Sequence, residues 1–148
     1  MKTRALGIDY GMKRIGLAIS DETMLIASPL QTMNAEKRLA ETSKKLLALI
    51  ETLEKEYQCK ITTLVMGMPL HMSGRIGVLA DEVSLFIQEI KQRNSEIEII
   101  TWDERLSTIQ AERSLRQGGL SRKKRSKLID HVSASIILQS WLDMKGTQ

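Results

Sequence analysis

Ala5-Leu-Gly-Ile-Asp9-Tyr-Gly-Met-Lys-Arg14-Ile-Gly-Leu-Ala-Ile-Ser20 holds two short apolar runs, Ala5 to Asp9 and Ile15 to Ser20. Between them lies a glycine-led basic turn, Gly11-Met-Lys-Arg14. A link this short suits antiparallel strands, because parallel neighbours need a crossover of roughly a dozen residues or more. A third, weaker run from Ile26 to Thr32 carries Pro29, which suits an edge strand better than a central one. The opening third therefore predicts a three-strand antiparallel meander.

Outward from there the period changes. Leu39, Leu46, Ile50, Leu53 and Tyr57 share one helical face, and Leu47 and Leu49 widen it. Ile61 to Gly67 follows as a short apolar strand. Ile76, Leu79, Ala80, Val83, Ile87 and Ile90 make a second helical face, and Glu96 to Trp102 a further strand. Strands that alternate with helices are joined by parallel crossovers. Ser107 with Gln110 fits the capping box of a third helix, and Gly118-Gly119 its stop. A fourth helix is predicted from about Leu128 to Met144. It is apolar on most sides from Val132 to Leu142, as a helix buried against a sheet is. The expected architecture is α/β: a mixed five-stranded sheet, made of the meander plus two parallel strands, flanked by helices. No internal repeat or linker interrupts residues 1–148, which read as one domain.

The bulk numbers set the class. The chain has 148 residues, 42% of them hydrophobic and 27% charged, which is a globular composition with one core rather than a disordered one. Cys59 is the single cysteine, and His71 and His131 are not spaced for a structural zinc site. The N-terminus has no signal-peptide pattern and no stretch is long enough for a membrane span, so a cytoplasmic protein with no membrane partner is expected. The net charge of +4 is smaller than the charge of one block, Arg122, Lys123, Lys124, Arg125 and Lys127. A patch that concentrated suits a polyanion such as nucleic acid, or else is a solvated loop or helix start. Aromatic residues make up only 3%, which argues against a stacking platform for single strands.

Three groups of acids stand in costly places. Asp9 ends an apolar strand, Asp103 and Glu104 directly follow another, and Asp130 stands at the start of the apolar C-terminal helix. Carboxylates so placed need partners, and a hard divalent cation held by several oxygens is one. In the expected sheet, strand one and the last strand lie near each other. Their C-terminal ends meet in the crevice where open α/β sheets bind ligands. Mg²⁺ or Mn²⁺ there can activate water and neutralise charge at phosphorus without a His or Cys nucleophile. Singly, the same acids read as a turn aspartate, a helix cap and a salt-bridge partner.

Four segments also carry a family resemblance. Gly7-Ile-Asp-Tyr-Gly-Met-Lys-Arg-Ile-Gly16 resembles the opening motif of the YqgF (RuvX) family, and Gly67-Met-Pro-Leu-His-Met-Ser-Gly74 its Gly-x-Pro-Leu loop. Asp103-Glu-Arg-Leu-Ser-Thr108 is similar to its Asp-Glu-Arg motif. Arg122-Lys-Lys-Arg125 with Ile129-Asp130 and Ile137-Leu138 resembles its closing segment. The four occur in the family's order along nearly the whole chain. The resemblance implies an RNase H-like fold, kinship with Holliday-junction resolvases, and a role in maturing the 5′ end of pre-16S rRNA. It places the family's three acidic positions on Asp9, Glu104 and Asp130, as metal ligands and catalytic residues. The chain departs from the family at His71 and Ser73, where Asn and Asp are usual, at Met12, where a small hydroxyl residue is common, and at Ser133.

Supporting residues follow. Lys13 and Arg14, beside Asp9, can hold a phosphate; a charged hairpin turn is the other reading. Arg105 can grip the scissile phosphate or pair with an acid. Arg122, Lys123, Lys124 and Arg125 can track a phosphate backbone with salt-sensitive affinity. The leading expectation is a metal-dependent nuclease acting on rRNA precursor, as monomer or homodimer. A resolvase of branched DNA is the close variant, and it needs a symmetric dimer for two cuts. A non-catalytic ribosome-assembly factor is the third reading. An ATP-using enzyme of the actin and sugar-kinase type is prompted only by the acid-Gly turn after strand one, and no P-loop pattern supports it.

Overall fold

A computed structural model describes residues 1–69, 77–106 and 122–146, apart from the side chains of Arg105 and of residues 122–131. The strands are β1 (Thr3–Tyr10), β2 (Arg14–Ser20), β3 (Ala27–Asn34), β4 (Lys60–Met68) and β5 (Glu98–Asp103). The helices are α1 (Leu39–Tyr57), α2 (Val78–Arg93) and α3 (Arg122–Gly146). The sheet order is β3-β2-β1-β4-β5, antiparallel across β3-β2-β1 and parallel across β1-β4-β5. This is the expected meander with two parallel additions. Pro29 lies in the edge strand, where the register slips by one residue between Leu17 and Ala18 of β2. An edge or a bulge is where a residue without an N–H is tolerated.

Alternation along the strands sorts side chains onto two faces. Leu6, Ile8, Leu17, Leu64 and Met66 pack in one core with Leu46, Ile50 and Leu53 of α1 and Val83, Phe86 and Ile90 of α2. Ala5, Ala18 and Val65 point the other way, against Ala134, Ile137, Leu138, Trp141 and Leu142 of α3. The small residues at positions 5 and 18 let α3 come close. Gly7 sets the limit: a Cβ there would lie 2.6 Å from the Ala134 carbonyl oxygen and 2.7 Å from Leu138 Cβ. Such contact requires a bare α-carbon.

Helix α1 stops where Gln58 turns left-handed (φ 51°), its N–H donating to the Glu54 carbonyl. Helix α3 begins six residues before the predicted Leu128. The Arg122-Lys-Lys-Arg125 run has no apolar period to reveal a helix, yet Arg and Lys are good helix formers. The block is thus helical backbone rather than loop. The predicted helix with its cap at Ser107 and stop at Gly118-Gly119 lies outside the described residues, as do His71 and Ser73. Among the described residues no helix is long and apolar enough to cross a membrane.

Candidate active site

Asp9 stands one residue before the end of β1, between the buried Ile8 and Tyr10. Ile8 and Tyr10 face α1 and α2, so alternation turns Asp9 to the α3 face along with Gly7. Tyr10 fixes that orientation. Its hydroxyl donates to Glu82 Oε2 at 2.8 Å, and its ring lies 5.1 Å from that of Phe86 in α2. Burial, then the Glu82 carboxylate, keep this hydroxyl protonated far above the usual tyrosine range.

Strands β1 and β5 are not adjacent, as β4 runs between them. The expectation that strand one and the last strand lie near each other therefore holds only as second neighbours, about 10 Å apart at the usual strand spacing. A side chain bridges the gap. Gly67 of β4 pairs with Trp102 of β5 and follows Met66, the partner of Ile8, so it sits beside Asp9. A Cβ on Gly67 would be 3.0 Å from Glu104 Oε1 and 2.5 Å from Ile137 Cδ1. The Glu104 carboxylate thus reaches back from the single 3₁₀ turn Glu104–Leu106 over the bare strand, towards Asp9. Asp103 pairs with Met68, whose side chain packs with the α1–α2 core. Alternation sends Asp103 to that face, so Glu104 is the one of the two neighbours that shares a face with Asp9. Asp9 and Glu104 are both partly buried.

Lys13 and Arg14 lie at the tip of the β1–β2 hairpin and are exposed. The pairs Asp9↔Gly16 and Tyr10↔Ile15 put this tip at the same end of the sheet as Asp9. Arg14, two residues from Gly16, falls on Asp9's face. The backbone of Arg105 lies in the 3₁₀ turn. Asp130 belongs to α3, one turn before Ala134, and Arg122, Lys123, Lys124 and Arg125 form that helix's first turn. The side chains of these six residues lie outside the described ones. Their backbone placement still matters, because α3 has no acid in its first turn. Cations at a helix N-terminus oppose the helix dipole and do not help the helix form.

Oxygen donors such as Asp9 and Glu104 suit a hard divalent cation. The Gly67 cradle, filled by a carboxylate instead of a methyl group, fits that use. Among the described residues no three acid, His or Cys side chains gather at one point. Gly67 and Ile137 were not singled out for the site from sequence. The available signal was a glycine inside an apolar strand, which marks a close approach.

A family model described as RuvX: Holliday junction resolvase matches residues 3–144. A relative from Protochlamydia amoebophila, provisionally named a pre-16S rRNA nuclease, is 57% identical over 143 residues, 97% of this chain and 95% of its own. One from Chlamydia pneumoniae with the same provisional name is 46% identical over 140 residues, 93% of this chain and 88% of its own. Among solved structures, Thermus thermophilus RuvC in complex with a Holliday junction substrate superposes with a TM-score of 0.53. It covers 98% of this chain and 97% of its own at 13% identity, which speaks for the shared RNase H-like fold alone.

Proposed function

Because this chain belongs to the RuvX (YqgF) family of resolvase-like nucleases, we propose that it is a metal-dependent phosphodiesterase that processes the 5′ end of pre-16S rRNA in the cytoplasm. The observation that carries this reading is the Glu104 carboxylate lying over bare Gly67, beside β1 where it carries Asp9. Two acids far apart in sequence share one face there, at no cost in side-chain volume on the strand between them. Asp9, Glu104 and Asp130 are the proposed ligands and catalytic residues. Mg²⁺ or Mn²⁺ bound by these carboxylates supplies charge neutralisation at phosphorus and an activated water.

The chain's own residues provide the rest. Lys13 and Arg14 present cations at the Asp9 end of the sheet, and Arg105 follows the ligand Glu104. Together they orient the scissile phosphate. Arg122, Lys123, Lys124 and Arg125 hold the flanking backbone, and their charge adds to the positive end of α3. Such contacts are insensitive to sequence and weaken with salt. The choice of cutting point thus falls to substrate shape and to groups near the site.

The test is cleavage of an rRNA-precursor fragment and a four-way DNA junction, by the wild-type chain and Asp9→Asn, with Mn²⁺, Mg²⁺ or EDTA. Metal-dependent cutting of the RNA that Asp9→Asn loses, while still binding, is the expected result. Cutting of the junction alone transfers the assignment to a resolvase. Binding of both without cutting under any metal refutes the nuclease reading in favour of an assembly factor.

A further inference from the structure

We propose that Met12, at the tip of the β1–β2 hairpin, packs against the face of an unpaired base beside the scissile phosphate and so selects substrates with an unstacked nucleotide there. The proposal rests on the nucleic-acid reading above and deepens it.

Met12 is a large apolar side chain that is 54% exposed, between Gly11 and the exposed cations Lys13 and Arg14. Its mounting is braced. A Cβ on Gly11 would lie 2.5 Å from the Arg14 carbonyl oxygen, so the turn closes tightly around a bare α-carbon. The Lys13 carbonyl accepts from the Ala35 N–H at 2.8 Å, and Arg14 pairs with Asn34. The tip is thus pinned to the end of β3, and Met12 is held out from a fixed support.

That support stands next to the proposed chemistry. Two residues, Tyr10 and Gly11, separate Met12 from Asp9, and because the strand ends at Tyr10 full strand rise bounds the reach at about 10 Å. That is roughly the span of three stacked bases. Lys13 and Arg14 would hold the backbone of the strand whose base meets Met12. A thioether chain is polarisable and adaptable, and methionine is among the apolar side chains that wedge against unstacked base steps. In a continuous duplex both faces of each base are covered by neighbours and a wedge must first unstack a step at a cost of a few kcal/mol, so the contact is favoured where a base is already unpaired or unstacked. No aromatic ring stands at the tip: Tyr10, Phe86 and Trp141 are buried in the cores, and the partly buried Tyr57 and Trp102 belong to α1 and β5.

The test is binding in EDTA, where no metal-dependent cleavage occurs. Two fluorescent RNA hairpins are compared, one with a single-stranded 5′ overhang and one blunt, both closed by a glycol linker in place of loop nucleotides so that the blunt one has no unpaired base. The proteins are wild type, Met12→Ala, Met12→Leu and Met12→Lys. Wild type is expected to prefer the overhang. Met12→Ala should lose about fivefold on the overhang, the size expected for removing part of a buried methionine, and nothing on the blunt hairpin. Met12→Leu should restore the preference. Met12→Lys should keep backbone affinity without it. A 2-aminopurine in the overhang should change emission with wild type and not with Met12→Ala. A merely structural role would shift thermal midpoints instead, and these should be unchanged. Equal binding of both hairpins by wild type and Met12→Ala overturns the role of Met12 alone. Failure of wild type to bind either RNA overturns the nucleic-acid reading together with it.

Discussion

Replacing Gly67 by alanine adds one methyl group at the point where the site depends on having none. The new Cβ would stand 2.5 Å from Ile137 Cδ1 and 3.0 Å from Glu104 Oε1. Ile137 is fully buried, so its terminal methyl must find room inside the core. The Glu104 carboxylate is partly exposed and gives way more readily, away from Asp9. Crowding of this kind costs about 1–2 kcal/mol, and losing a glycine from a strand returns about 0.5–1 kcal/mol. The net loss of about 1 kcal/mol lowers the thermal midpoint by roughly 2–4 °C for a chain of this size. Activity falls as well: the 3.0 Å contact pushes the Glu104 oxygen aside by a few tenths of an ångström, and since a misplacement of about 1 Å costs on the order of 100-fold, kcat should drop by roughly three- to fivefold. Gly7→Ala makes the contrasting case. Its Cβ meets the Ala134 backbone carbonyl at 2.6 Å, which no rotamer change can relieve. The helix itself must lift, at about 3 kcal/mol or more. Thermal unfolding and single-turnover cleavage of both variants separate the two mechanisms. Gly67→Ala with wild-type kcat refutes the argument that the bare strand exists to admit Glu104.

Two further outcomes concern the framework. Asp21 accepts from the backbone N–H groups of Ile26 (3.0 Å) and Leu25 (2.8 Å) and from the Thr23 hydroxyl. These bonds, that of Ile26 foremost, lower its pKa from 3.8 to about 2. A depressed carboxylate stabilises the fold fully above its unfolded pKa and loses that contribution as pH falls through the folded value. The midpoint difference between wild type and Asp21→Asn should therefore be constant above about pH 4 and shrink on acidification towards pH 2. Trp102 donates its indole N–H to Ser140 Oγ at 3.0 Å, tying β5 to α3. Ser140→Ala should cost about 1 kcal/mol in urea unfolding and shift Trp102 emission, and an unchanged midpoint would show that the bond contributes nothing net.

Legibility followed physical periodicity. The meander could be read because Gly11-Met-Lys-Arg14 is too short to join anything but antiparallel strands, and the edge position of β3 followed from Pro29. The parallel strands followed from the helical stretches that separate them. Alternation could not choose between Asp103 and Glu104 from sequence, because that choice depends on where β5 stops and the 3₁₀ turn begins. The family resemblance alone singled out Glu104 there. The purpose of Gly67 was hidden too: its neighbours, Glu104 and Ile137, come from β5's end and from α3. The start of α3 was misplaced by six residues because a run of cations carries no apolar signal, even though its backbone propensity is good.

The proposed ligands also set a timetable. Asp9 is in the first strand, Glu104 follows the fifth, and Asp130 belongs to the last helix described. During synthesis the β1–β2–β3 meander can pair while the rest of the chain is still within the ribosome. Among the described residues, the α3 face of the meander at Ala5 and Ala18, extended by Val65 of β4, is covered by Ala134 to Leu142, which emerge last. A protein proposed to cut ribosomal RNA is therefore translated without a competent site. The proposed ligand set is brought together only once α3 has been made and packs on the sheet.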